Sequence, residues 1–188
     1  MDVARRLFAE FGYHAVSVTE IAREAGVSHG LIHAHFEAKA GLLYAILAES
    51  NALQTEEAWA AIGAPGPVLE RIGRLFGVWV RYDLRDPALL AVMQAYYWQW
   101  SDETEGHNRA SLAEAFAPLK RILAEAQASG ELRPDLDRER AARAIFALYT
   151  QALRPAVYDD ARPEACAAEA LAQVELLLAG AGRDSGGG

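Results

Sequence analysis

Four of the five histidines in this chain fall within its first 35 residues: His14, His29, His33 and His35. His29 and His33 stand four residues apart, a spacing that zinc sites on helices use. Such a site needs further ligands that the neighbourhood does not offer, so no metal site is expected. Cys166 is the only cysteine. It leaves no internal disulfide and no thiolate cluster, and it reads as a small buried residue. No Ser–His–Asp order, carboxylate pair or Gly-rich phosphate loop appears. The chain is therefore not expected to be an enzyme, and no cofactor is expected.

A second group of chemically useful residues is aromatic. Phe76, Trp79, Tyr82, Tyr96, Tyr97, Trp98, Trp100 and Phe116 crowd one stretch, with Met93 among them. Aromatics at helical spacing usually make core. Tyr and Trp also carry polar tips, which suits an apolar pocket with a few hydrogen-bonding groups. Both readings stand at this stage. The expected pocket set is Phe76, Trp79, Tyr82, Met93, Tyr96, Tyr97, Trp100 and Phe116. Gln94, Gln99, His107 and Asn108 are the nearby polar candidates.

The elements that must hold these residues are helical. Ala, Leu, Arg and Glu dominate, and no segment alternates with β-branched residues. At 188 residues and 52% hydrophobic, the chain can bury a sizeable core. No apolar run is long enough for a membrane span. The start, MDVARRLFAEF, is amphipathic and does not resemble a signal peptide. A cytoplasmic protein is expected. The formal net charge of −8 argues against non-specific nucleic-acid binding by the chain as a whole.

Ala4, Leu7, Phe8 and Phe11 recur at helical spacing, and Gly12 ends that helix. Ser17-Val18-Thr19-Glu20 reads as a capping box. Ile21, Ala22 and Ala25 face inward, and Gly26 is placed to stop the second helix in a left-handed conformation. Ser28 caps a third helix, His29 to His35, whose inner face is Ile32 and Phe36. A long fourth helix spans Lys39 to Trp59. Gly63-Ala64-Pro65-Gly66-Pro67 is a break. Further helices carry Val68 to Trp79, Leu89 to Trp100 and Leu112 to Ala126. The polar run Ser101 to Gly106 separates the last two, and Pro118 is expected to kink the latter. Helices from about Asp137 to Val157 and Pro163 to Ala179 complete an all-α fold of about nine helices. The Gly-rich tail, 181–188, is expected to be disordered.

The stretch Ala4 to Leu47 resembles the TetR family of bacterial regulators. The matching elements are Leu7-Phe8, Gly12-Tyr13, Ser17, Ile21-Ala22, Ala25-Gly26-Val27-Ser28, Gly30, His35-Phe36, Lys39 and Leu42-Leu43. Each is loose alone, but in one register they are specific. The resemblance implies a three-helix helix-turn-helix domain over 1–45. The long fourth helix would join it to a ligand-binding and dimerisation domain over 46–180. It also implies a homodimer that binds a palindromic double-stranded DNA operator and is released by a small, largely apolar or aromatic effector. The alternative is a helical small-molecule-binding or adaptor protein whose head does not bind DNA.

The resemblance implies DNA contacts from Thr19, Ser28, His29, Gly30, Leu31, His33, Ala34 and Lys39. Lys39 would meet a phosphate at the start of the fourth helix. Two positions depart from the family pattern. Leu31 replaces a small or hydroxyl residue, and His33 replaces a tyrosine. Through residue 50, four cationic side chains face six carboxylates, so the head is not basic. The implied dimer face is Ile145, Leu148, Tyr149 and Ala152 on one helix with Leu171, Val174 and Leu178 on the last.

Overall fold

The computed structural model describes residues 1–36, 38–96 and 102–179. These form α-helices: α1 (Asp2–Phe11), α2 (Val18–Ala25), α3 (His29–Phe36), α4 (Lys39–Ala61), α5 (Val68–Asp83), α6 (Pro87–Tyr96), α7 (Asp102–Ser129), α8 (Arg138–Ala152), α9 (Arg154–Tyr158) and α10 (Pro163–Ala179). The fold is all-α. Among the described residues, no helix is long and apolar enough to cross a membrane. The tail 181–188 lies outside the described residues.

Packing divides the chain into two compact units. The first holds Met1–Leu53 with Arg85–Leu112, and the second holds Gln54–Leu84 with the chain from Ala113 onward. The division departs from a linear boundary at residue 45. Leu89, Val92 and Met93 of α6 pack against the same core as Leu7, Phe8, Ile21, Ile32, Leu42 and Ile46. Met93 was expected in the aromatic pocket; it is instead a partly buried member of the head.

Local signals fix the small helices of the first unit. Ser17 Oγ accepts from Glu20 N, and Glu20 Oε2 accepts from Ser17 N at 2.8 Å, a complete capping box. Donation from the Ser17 backbone N–H, and then from its hydroxyl, holds the Glu20 carboxyl below the usual range. Gly26 stops α2 with φ 68° and ψ 27°, the left-handed conformation that glycine takes without a Cβ clash. Ser28 Oγ then accepts from Leu31 N at 3.1 Å and starts α3.

In the second unit, α10 packs on α5 and α8. Gly73 permits the approach to α5: an added Cβ there would lie 3.2 Å from Leu171 Cδ2. Two helix boundaries differ from the sequence reading. Asp102 to Gly106 opens α7 rather than forming a break. The Glu105–Arg109 pair, 2.6 Å apart at i,i+4, supports that turn. The expected helix through Val157 stops at Ala152, and α9 restarts at Arg154. Pro155 lacks the N–H that would continue the ladder, and its ring opposes the carbonyl four residues back.

Replacing Ser17 with Ala removes the acceptor for Glu20 N and the hydroxyl that donates to the Glu20 carboxylate, while the backbone N–H that also serves that carboxylate stays. The expected loss is about 1 kcal/mol of head stability, read as a lower urea midpoint with an unchanged m-value. An unchanged midpoint would show the capping box to be energetically idle.

Candidate functional site

The α2–turn–α3 segment presents one face outward. Ile32 is buried and Phe36 partly so, which fixes the rotation of α3. His29, Gly30, Leu31, His33 and Ala34 are all exposed, as is Thr19 on α2. The imidazoles of His29 and His33 stand 6.5 Å apart, centroid to centroid. Ser28 is exposed, but its hydroxyl is engaged as the cap of α3. Among the described residues, no group of three or more His, Cys, Asp or Glu is placed to hold a metal ion.

Gly30 is informative. Its φ is not positive, and a Cβ added there would meet only Ser28 Oγ, at 4.0 Å. Neither backbone nor neighbours demand glycine, although glycine inside a helix costs about 1 kcal/mol against alanine. The space that it leaves opens outward, where a large surface can approach the α3 backbone.

Lys39 does something the sequence reading missed. Its Nζ donates to the carbonyls of Tyr13 at 2.7 Å and Val16 at 2.8 Å. It also lies 4.3 Å from the centroid of the Tyr13 ring. The ammonium therefore ties the turn between α1 and α2 to the start of α4. Partial desolvation lowers its pKa. Two of its three donors serve the fold, so its first role is to position the head. The partners lie 26 and 23 residues away, beyond the reach of any local motif.

Among the described residues, the aromatic cluster is closed. Phe76, Trp79, Tyr82 and Phe116 are each at most 8% exposed. Phe76 and Trp79 lie 5.0 and 5.2 Å from Tyr149, and Phe116 lies 4.7 Å from Phe146, between ring centroids. These residues fill one another's space as core. Tyr97 and Trp100 lie outside the described residues, as does the side chain of Tyr96. The dimer expectation also needs correction. Ile145, Tyr149, Ala152, Val174 and Leu178 are buried within the single chain, and Leu171 packs on α5. A wide apolar face on α8 and α10 serves the monomer core. The exposed large apolar residues on α10 are Leu176, 78% exposed, and Leu177.

Two polar features sit in this unit. Tyr149 Oη donates to Asp83 Oδ2 at 2.7 Å, and Gln54 Nε2 donates to Asp83 Oδ1 at 3.0 Å. Desolvation pushes the Asp83 carboxyl up to about 6, against the lowering effect of both donors. Burial and the neighbouring Asp83 carboxylate likewise raise the Tyr149 phenol. The second feature is a cavity of about 370 Å³ between the end of α4, the start of α5 and the last turns of α7. Arg71, Glu125 and Arg121 line it, with Trp59 and Ile62 as apolar wall. Glu125 accepts from Arg71 at 2.6 Å and Arg121 at 2.8 Å. Arg71 Nε is buried without a hydrogen-bond partner among the described residues.

Two variants test these assignments. Lys39→Met keeps the aliphatic stem and deletes the donors. It is expected to cost about 2 kcal/mol of stability in the absence of DNA, and unaltered thermal unfolding would refute the positioning role. Asp83 is protonated more readily folded than unfolded, because its folded pKa is the higher one. Its contribution to stability is therefore fullest below about pH 4 and falls as pH rises to about 6. The loss is of order 3 kcal/mol. Asp83→Asn removes that slope, so the stability difference between wild type and variant must change across this window. A constant difference would sink the assignment.

Residues 1–46 match the family model described as bacterial regulatory proteins, tetR family. The regulator BetI of Rhizobium meliloti is 36% identical over 97 residues, which cover 52% of this chain and 48% of BetI. The chain thus matches about half the length of that relative. The fatty acid metabolism regulator protein of Bacillus subtilis is 27% identical over 180 residues, covering 96% of this chain and 92% of its own. Among solved structures, Thermus thermophilus FadR in complex with lauroyl-CoA superposes with a TM-score of 0.76. It is 26% identical, with 100% of this chain and 97% of that one covered. Bacillus subtilis FadR in complex with stearoyl-CoA gives a TM-score of 0.73 at 26% identity, covering 95% and 96%. The capped helix-turn-helix and these likenesses agree: residues 1–46 match the tetR family of bacterial regulatory proteins, and the chain as a whole is similar in fold to the FadR regulators.

Proposed function

We propose that this protein is a DNA-binding transcriptional repressor that acts as a homodimer on a palindromic operator and is released by a long-chain acyl-CoA. The observation that carries the DNA reading is the α2–turn–α3 unit. Its second helix is capped, held in rotation by Ile32, and exposed along His29, Gly30, Leu31, His33 and Ala34. That is the geometry with which a recognition helix enters a major groove. Thr19 and the N-terminal turn of α3 would face phosphates, and the charge of Lys39 would add to the field from behind them.

The acyl-CoA reading rests on the two FadR complexes, which align with nearly the whole chain. It fits the second unit only if the rings there part. Phe76, Trp79, Phe116 and Phe146 are packed against one another in this structure. Each methylene moved from water into such a core returns about 0.8 kcal/mol, so a long acyl chain offsets the opening where a short one does not. Release follows if the acyl-CoA binds the conformation with wrongly spaced heads more tightly than the DNA-bound one. For the dimer contact, Leu176 and Leu177 of α10 take the place of the buried residues.

The test begins with selection from a random double-stranded DNA pool, followed by titration of the retained complex with lauroyl-CoA and with free CoA. Palindromic sites are expected, with release by lauroyl-CoA and none by free CoA. Failure to retain any DNA would overturn the regulator reading. Retained DNA that lauroyl-CoA does not release would overturn the effector reading alone.

A further inference from the structure

The outermost strip of α3 carries no hydrogen-bonding side chain. At 3.6 residues per turn, Ala34 lies opposite the buried Ile32 and Phe36 edge. Gly30 stands one turn before Ala34, and Leu31 lies beside them. Leu31 is 46% exposed, the largest apolar side chain on that strip. Its backbone is anchored, because its N–H donates to Ser28 Oγ in the first turn of α3. The imidazoles of His29 and His33, 6.5 Å apart, flank the strip on the other side, and exposed His35 follows Leu31 by one turn on its own side.

We infer that Leu31 is a specificity-determining residue that reads the C5-methyl group of a thymine in the major groove. The inference rests on the DNA-binding reading above. The major-groove edge of each base pair is a row of donors and acceptors, with one apolar feature, the thymine methyl. A leucine pressed against the N4 amino group of cytosine or the O6 of guanine strips water from a polar group and offers nothing back. Against a thymine methyl it removes apolar surface on both sides. Gly30 and Ala34 reinforce the choice. They are small enough to bring the α3 backbone close, and they add no polar group that would favour another base.

The experiment uses the full chain and sites selected from a random duplex pool. Deoxyuridine then replaces each thymine of the selected site in turn, which keeps every hydrogen-bonding group and removes only the methyl. In the wild type, one thymine in each half-site is expected to show about a fourfold loss of affinity on replacement. In Leu31→Ala that sensitivity falls to near one, and selection with the variant no longer fixes thymine there. Circular dichroism of the variant checks its fold, and the exposed position predicts no change. Two results overturn the inference: no thymine responds to replacement, or the response is the same in Leu31→Ala. A pool from which the wild type retains nothing overturns the DNA reading beneath it, and so separates the two failures.

Discussion

The ammonium of Lys39 donates to the carbonyls of Tyr13 and Val16 and rests over the ring of Tyr13. Those carbonyls belong to the turn between α1 and α2, where the backbone has no helical partners to offer. A cation at the start of α4 thus supplies the donors that the turn lacks. The consequence passes along the chain. With that turn fixed, Ser17 is placed to cap α2, α2 ends on Gly26, and the left-handed turn aims Ser28 at α3. The outward face of α3 inherits its direction from this sequence of local choices, each of which agrees with the next.

The same arrangement governs how the head can use charge. Arg5 pairs with Asp2 and Glu49, and Arg6 with Glu10 and Glu24. Lys39 is turned inward. Three of the four cations through residue 50 are thus matched by carboxylates or serve the fold. Affinity from counterion release scales with the number of phosphates neutralised, so this head gains little from sequence-independent attraction. On the proposed reading, it would depend correspondingly on what α3 presents and on two heads engaging one site. An apolar strip with a leucine at its edge is consistent with that economy of charge, because burial of a methyl is insensitive to salt.

The parts of this protein that were legible in its sequence are the parts made by neighbours along the chain. The capping box at Ser17, the stop at Gly26 and the inner face of Ile32 and Phe36 are local, and each is where its spacing placed it. The bonds of Lys39 were hidden because their acceptors are carbonyls, which every residue carries. The aromatic stripe was ambiguous for a different reason: helical period reports that a face is buried, not what buries it. Phe76, Trp79 and Phe116 satisfy a pocket pattern and a core pattern equally, and the structure closes them on Phe146 and Tyr149. Ile145, Tyr149 and Val174 fall to a partner only through the family resemblance, since their period fits a monomer core equally well. Met93 shares its stripe with the aromatics yet packs on the head, since period cannot say which of two cores a helix serves. The break before Pro155 runs against the single helix read from Asp137 to Val157, although the missing N–H of Pro155 accounts for it.

The buried polar groups of the second unit bear on how such a core could change. Asp83, Tyr149 and Gln54 join α5, α8 and α4 by two bonds to one carboxyl. Apolar cores tolerate many packings of similar energy, whereas a buried carboxyl has few positions in which both oxygens are satisfied. The network therefore fixes the packing around Phe76 and Trp79, and any entry into that cluster must either leave it intact or replace its bonds. The elevated carboxyl pKa shows that the charged form is held there at a cost. A rearrangement that admits water to Asp83 is relieved of that cost, which offsets part of the dispersion energy forfeited when the rings separate. In this unit the groups that specify the closed core also make its opening less costly.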